Sequence, residues 1–188
     1  MRVFVVTPPA AVVTLEEAKQ HLKVEHDEDD ALITSMVAAA TGHIDGPDGW
    51  LGRAIGLQTL EARLGAGYCS GRIVLPYRPI ASVVSMKYID SDGAEQTLAA
   101  DQYSLRGHEL WPAFDVTWPT PRAEPEAVRV QYQAGYSSLP AAIRAAILLM
   151  VGDLDRNRTT VAAGANNVAA VPMSTTVENL LSPFRVYG

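Results

Sequence analysis

The chain changes from helix-like to strand-like sequence patterns and back again. Apolar residues recur at helical spacing near the N-terminus and again from residue 140, whereas residues 56–134 form short runs rich in Val, Ile, Tyr and Leu that Gly and Pro separate. This succession predicts an α+β fold, a helical core with an inserted small antiparallel β-sheet. We expect a single domain over residues 1–188, because a chain of this length can build one core.

A helix pair is predicted at residues 14–45. Thr14 and Glu17 have the spacing of a capping box, which predicts a first helix at about 15–23. The acidic run HDEDD at 26–30 suits the N-terminus of a second helix, since carboxylates oppose the positive end of the helix dipole. That helix should end near Ile44, where the turn-forming sequence DGPDGW begins.

The β insertion is predicted to contain six strands. They are expected at 57–64, 82–89, 95–98, 102–105, 109–111 and 127–133. The sequence DSDG at 90–93 predicts a hairpin turn in which Gly93 takes a positive φ.

A long helix is predicted at residues 140–156, with Pro140 in its first turn. Residues 141–154 carry only two charges, on Arg144 and Asp153, so this helix is apolar on most of its faces. Such a helix needs more cover than a small core provides, and we interpret it as a subunit interface. The candidate interface residues are Ile143, Ile147, Leu148, Met150, Val151 and Leu154.

The C-terminal residues 159–188 are predicted to form a mobile segment followed by an anchor. Residues 159–176 carry no charge and contain Gly164 and Pro172, which leaves two interpretations open: a flexible loop, or a segment ordered only in an assembly. The ending VENLLSPFRVYG is apolar and aromatic, unlike an ordinary polar terminus, and has the composition of an interface anchor.

Composition and charge argue against several classes of protein. The net charge of −6 disfavours tight wrapping of nucleic acid. The single cysteine, Cys69, excludes an internal disulfide and fits assembly in a reducing cytoplasm. The apolar opening is interrupted by Pro8 and Pro9, which disfavours a signal peptide, and no apolar run is long enough to cross a bilayer.

No catalytic, cofactor or metal site is predicted. GAGYCSG at 65–71 lacks both the third glycine of a dinucleotide loop and the lysine of a triphosphate loop. GYSSL at 135–139 has Leu139 where a nucleophile elbow needs glycine. His21 and His26 do not share a helix face, and the DSDG turn lacks the glutamate of a calcium loop. We therefore expect a protein that is not an enzyme.

Four segments carry a resemblance to a known family. They are TLEEAKQHLKVEHDEDDALITSMVAAAT at 14–41, IVLPYRPIASVVSMKYIDSDG at 73–93, VRVQYQAGYSSLPAAIRAAILLMVGDLDRNR at 128–158 and VENLLSPFRVYG at the end of the chain. In their order and spacing they resemble the head–tail connector (adaptor) proteins of tailed phages, prophages and gene transfer agents. The resemblance covers nearly the whole chain.

The resemblance implies a structural virion protein at the head–tail interface, assembled in the host bacterial cytoplasm. It implies a ring of about twelve copies that docks on the portal protein, receives a head-closure (stopper) protein, and lets DNA pass without sequence-specific binding or a membrane partner. It implies no cofactor. The portal-contacting candidates are Leu180, Leu181, Pro183, Phe184, Arg185 and Tyr187.

Two alternatives stay open at this point. One is another ring component of the same particle, a head-closure or tail-completion protein, which we expect to consist mainly of sheet. The N-terminal helix pair and the long apolar helix favour the adaptor. The other alternative is a small hydrolase of a mobile element, which would need a convergent set of reactive side chains.

Overall fold

A computed structural model describes residues 1–67, 71–157 and 173–187. It divides into two compact units, which we call the sheet unit (Met1–Ala10 and Arg53–Ser137) and the helical unit (Ala11–Gly52 and Ser138–Gly188). Across these described ranges the fold is α+β, with four helices and two antiparallel sheets. That the two units belong to one domain stays a prediction.

The sheet unit contains a five-stranded and a three-stranded sheet. The larger sheet has the order β1-β2-β8-β4-β5, formed by Arg2–Thr7, Gln58–Leu64, Val128–Ala134, Ile80–Ile89 and Glu95–Leu98. The smaller sheet has the order β3-β7-β6, formed by Ile73–Val74, Glu109–Pro112 and Tyr103–Arg106. A 3-10 turn at Ala100–Gln102 precedes β6.

The six predicted strands are confirmed to within two residues, but the prediction of one inserted sheet is wrong. Two strands were not predicted: β3, which has only two residues, and β1 at the N-terminus. In β1, Val3 lies opposite Ala62 of β2, so the N-terminal residues belong to the larger sheet. This pairing joins segments far apart in the chain, which local sequence patterns do not report.

The sheet unit has a hydrophobic core of its own. Leu60 and Ala62 of β2 are fully buried beside Tyr132 and Val130 of β8, while the residues between them point to the other face. Tyr132 donates its hydroxyl hydrogen to the Pro76 carbonyl oxygen at 3.1 Å, and burial raises the pKa of the phenol. The chain is therefore not simply a helical core that carries a sheet.

The helical unit contains α1 (Leu15–Leu22), α2 (Asp30–Ile44), α3 (Ala141–Arg156) and α4 (Thr175–Leu181), followed by a 3-10 turn at Ser182–Phe184. The ends predicted for the first three helices are confirmed to within about a turn. The long helix is not the C-terminal one, because the short α4 follows it. The first two residues of α4, Thr175 and Thr176, fall in the predicted uncharged segment, of which residues 159–172 lie outside the described residues.

The predicted capping box of α1 is confirmed. The Thr14 hydroxyl accepts the Glu17 backbone N–H at 3.2 Å, and the Glu17 carboxylate accepts the Thr14 backbone N–H at 2.9 Å. The same carboxylate binds the Arg144 guanidinium of α3. The hydrogen bond from the Thr14 N–H is the largest of the effects that lower the pKa of Glu17.

Replacing Glu17 by Gln is expected to lower the free energy of unfolding by roughly 0.5–1 kcal/mol near pH 7, because the charged partner of Arg144 is lost. The folded pKa lies below the ordinary value of 4.5, so this contribution is present above that pH and disappears as the pH falls through the folded pKa. Urea denaturation at pH 7 and pH 3 measures it. Glu16→Gln is the matched control, and equal losses from the two variants would contradict the assignment.

Candidate docking surfaces

The C-terminal segment folds onto the turn that follows α2. Val177 and Leu181, four residues apart on α4, are fully buried, and α4 packs against α3. After the 3-10 turn the chain becomes extended, and the Val186 N–H donates to the Leu51 carbonyl oxygen at 2.9 Å. This backbone hydrogen bond holds the end of the chain within the helical unit.

Arg185 contacts two aromatic rings, and we call Trp50, Arg185 and Tyr187 the aromatic clamp. The guanidinium carbon of Arg185 is 4.1 Å from the centre of the Trp50 ring and 4.9 Å from that of the Tyr187 ring. Both distances are within the range of cation–π attraction. The clamp therefore orders the last side chains of the anchor.

Gly52 makes room for this arrangement. Its φ is +61°, and a Cβ atom there would lie 3.1 Å from the Val186 carbonyl oxygen. Glycine avoids both the backbone strain and the close contact. The sequence analysis assigned Trp50 only to a turn and gave Gly52 no role. The one sequence feature that pointed to this contact is an aromatic residue directly after a glycine-rich turn.

The structure separates the six portal-contacting candidates by exposure. Leu181, the last residue of α4, is fully buried, so it offers no surface to a partner while that helix stays packed, and its contact with the portal stays a prediction. Leu180, Phe184 and Arg185 are half-buried, Pro183 is exposed, and Tyr187 is 76% exposed. The five residues other than Leu181 share the C-terminal surface.

The candidate interface residues of α3 separate in the same way. Ile143, Ile147 and Val151 repeat at intervals of four residues and are fully buried, so they have no accessible surface in the isolated chain, and their place in a subunit interface stays a prediction. The reason is that α2 and α4 pack against α3 and cover faces for which the sequence showed no partner. Three candidates keep accessible surface: Leu148, Met150 and Leu154.

Two observations on the described part of the chain concern metal ligands and pockets. There, no group of three or more His, Cys, Asp or Glu residues lies close enough to hold a metal ion. Cys69 lies outside the described residues. A shallow pocket on the sheet unit is lined by Met1, Arg72, Val74 and Pro76, none of which is a nucleophile or a carboxylic acid. Within the ranges described, no helix is both long enough and apolar enough to span a membrane.

Replacing Arg185 by Ala is expected to loosen the end of the chain without unfolding the helical unit. Losing both ring contacts should cost about 1 kcal/mol, which corresponds to roughly fivefold faster exchange of the Val186 amide hydrogen. Hydrogen exchange followed by NMR measures it. Arg156→Ala removes an exposed arginine of α3 and serves as the control. Unchanged exchange at Val186 would show that the clamp does not hold the tail.

Among the comparisons with known proteins, a family model shows the family of this chain, and solved structures show its fold. The model of the Head completion protein family matches residues 11–187. No curated protein matches the sequence. Three solved chains from gene transfer agent particles share the fold. One is from the virion of the native particle, with a TM-score of 0.77 and 23% identity. The others are from the neck of the empty particle with C6 symmetry (TM-score 0.76, 22% identity) and from the neck of the native particle with C12 symmetry (TM-score 0.74, 24% identity). Each comparison covers 100% of this chain and 97% of the other.

Proposed function

This chain belongs to the head completion protein family, which gives it a structural head–tail connector role, and we propose that it fills this role as one subunit of a ring in the neck of a phage or gene transfer agent particle. The observation that carries the proposal is the likeness to the neck chain with C12 symmetry, which extends over the whole of this chain. A ring of about twelve copies fits that symmetry. We propose no catalytic activity.

The C-terminal surface is the proposed contact with the portal protein. It combines exposed Pro183 and Tyr187 with half-buried Leu180, Phe184 and Arg185, and tyrosine and arginine are enriched among the residues that dominate binding energies. Because the aromatic clamp orders Arg185 before binding, less conformational entropy is lost on docking. In this proposal the anchor is preformed from Met173 onward instead of ordering on the portal.

Contacts between subunits are proposed to include the accessible part of α3. Leu154 is 41% exposed, and Leu148 and Met150 are half-buried, so a neighbouring copy would bury further apolar area there. In this arrangement α1, α2 and α3 form the helical core of the ring. The buried residues Ile143, Ile147 and Val151 support this surface from behind.

The remaining partners follow from the position in the particle. We propose that the face of the ring away from the portal receives a head-closure (stopper) protein and that DNA passes through the channel without sequence-specific contact. A net charge of −6 supports passage, because a strongly basic lumen would hold the phosphates. Assembly takes place in the host cytoplasm, and the mature location is the head–tail interface of the virion.

A head-closure or tail-completion component is the second candidate. The observation that favours it is the amount of sheet, since the described residues contain eight strands in two sheets. Such a component would bind the ring already on the portal instead of the portal itself. The order of binding therefore distinguishes the two candidates.

Light scattering of the purified chain, alone and mixed with the portal of the same particle, tests the proposed function. We expect a monomer of 20.2 kDa alone and, with the portal, a complex heavier by about twelve copies. No association with the portal would refute the connector position. Association that requires a different ring protein to be added first would favour the second candidate.

A further inference from the structure

We propose that, within the ring proposed above, strand β1 of one subunit pairs with strand β5 of the next, so that the five-stranded sheets join edge to edge. The proposal rests on the proposed function for the existence of the ring. It concerns only the two edges of the larger sheet, both of which lie in the sheet unit.

Strand β1 is an unusually apolar edge. Phe4, Val5 and Val6 are 40%, 46% and 49% exposed, and among the described residues β1 pairs on one side only, with β2. Exposed apolar edge strands invite pairing with another chain, and proteins usually protect them with proline, lysine or a bulge. The irregularity in β1 falls after Val5, which leaves Arg2–Val5 in regular register and free to pair.

Strand β5 forms the opposite edge and has a matching length. Its four residues, Glu95–Leu98, pair regularly with β4, and Glu95, Gln96 and Thr97 are exposed. Four strand spacings of about 4.8 Å separate the two edges, roughly 19 Å in all. A contact between two different, opposite edges is head-to-tail, which is the kind of contact that closes into a ring.

Direction and register are compatible with this pairing. All neighbours in the larger sheet are antiparallel, so β1 and β5 run in the same direction. If the axis of the ring runs along the strands, rotation about it keeps the strand direction, so β1 of one subunit lies parallel to β5 of the next. The two faces of the sheet stay continuous only if residues whose side chains point to the same face lie side by side, because side chains alternate between the faces along each strand. Aligning Arg2 with Glu95 satisfies this condition and sets four residues against four.

This register also matches the chemistry of the two faces. Arg2 and Thr97 lie in one row across the sheet, so Arg2 and Glu95 share the polar face, where opposite charges would meet. Val5 and Leu98 share the apolar face, where Leu98 is only 8% exposed. The joint would thus continue both the charged outer face and the hydrophobic core face from one copy into the next.

Disulfide trapping in the assembled ring tests the pairing. The register places Phe4 beside Thr97 of the neighbour, and adjacent strands have the spacing that a disulfide requires. We expect a Phe4→Cys, Thr97→Cys chain in a Cys69→Ser background to give a ladder of covalent multimers after oxidation on the portal. The roughly 19 Å between the edges of one sheet prevents a bond within a subunit. Either single cysteine alone should give no ladder.

The outcomes separate this inference from the proposed function. A ring seen by light scattering that gives no ladder overturns the edge pairing and leaves the connector role standing. Dimers from Phe4→Cys alone also overturn it, since they would show β1 pairing with β1. If the unmodified chain forms no ring on the portal, the proposed function fails and the inference fails with it.

A variant without cysteine gives an independent readout. Val5→Lys should reduce the fraction of chain assembled on the portal at least tenfold and leave the circular dichroism spectrum unchanged, because Val5 is 46% exposed in the free chain. Val84→Lys changes a residue of β4 that is 54% exposed but not on an edge strand, and should assemble normally. Full assembly of Val5→Lys would overturn the proposal.

Discussion

A chain that ends at Phe184 is expected to stay free when mixed with the portal under conditions in which the full chain joins it as a ring. Removing residues 185–188 deletes the cation of the aromatic clamp and the 76% exposed Tyr187, but leaves α4 and its buried Val177 and Leu181 in place. Tyrosine and arginine anchors typically contribute about 2 kcal/mol or more each, so affinity should fall by at least several hundredfold.

The position of the cut makes this experiment informative. A cut before Val177 would also remove two fully buried side chains and destabilise the helical unit, so failure to bind would have two explanations. The shorter deletion should change the melting temperature by only a few degrees. Tyr187→Ala measures the contribution of the tyrosine side chain to portal binding, and Arg185→Lys measures that of the planar guanidinium. Ring formation by the chain ending at Phe184 would disprove the C-terminal anchor.

Replacing Gly135 by Ala should produce the largest loss of stability, about 3 kcal/mol or more. Gly135 has a φ of +121°, and a Cβ there would collide with the carbonyl oxygen of Gly56. The backbone cannot easily move away, because the Gly135 N–H donates to the Pro79 carbonyl at 2.9 Å and the Tyr136 N–H to the Ile55 carbonyl at 3.0 Å. Urea denaturation measures the loss.

Gly107→Ala is the matched control. Gly107 also has a positive φ, +64°, but a Cβ there would meet open space, so only backbone strain of about 1 kcal/mol is expected. The difference between the two variants isolates the cost of the close approach between Gly135 and Gly56. Equal losses would show that this contact is not tight in solution.

Features that depend on neighbouring residues were predictable from the sequence. The capping box of Thr14 and Glu17 and the hairpin turn that ends at Gly93, with a φ of +84°, form as predicted. In that turn the Asp90 carboxylate accepts the Ala94 N–H at 2.9 Å. Each arrangement closes within five residues, so side-chain chemistry and backbone freedom decide it locally.

The family motifs were also visible in the sequence, but their physical reason was not. The A-G-Y sequence at 134–136 is part of the resemblance, whereas the need for glycine at Gly135 comes from the Gly56 backbone, far away in the chain. In the same way, the composition of the tail predicts an anchor, but the sequence does not predict that the tail docks on Trp50, Leu51 and Gly52. Local patterns identify these segments without identifying their partners.

What the sequence by itself determined was the α+β class, the first three helices, six of the strands and membership of a connector-like family. Only the tertiary structure decided that β1 pairs with β2, that Ile143 and Leu181 face inward, and that Arg185 lies against Trp50. Helix and turn signals come from interactions between residues of the same short segment, so they can be read from the sequence of that segment alone. Pairing and burial depend on which distant surfaces meet, and that follows from the packing of the folded chain.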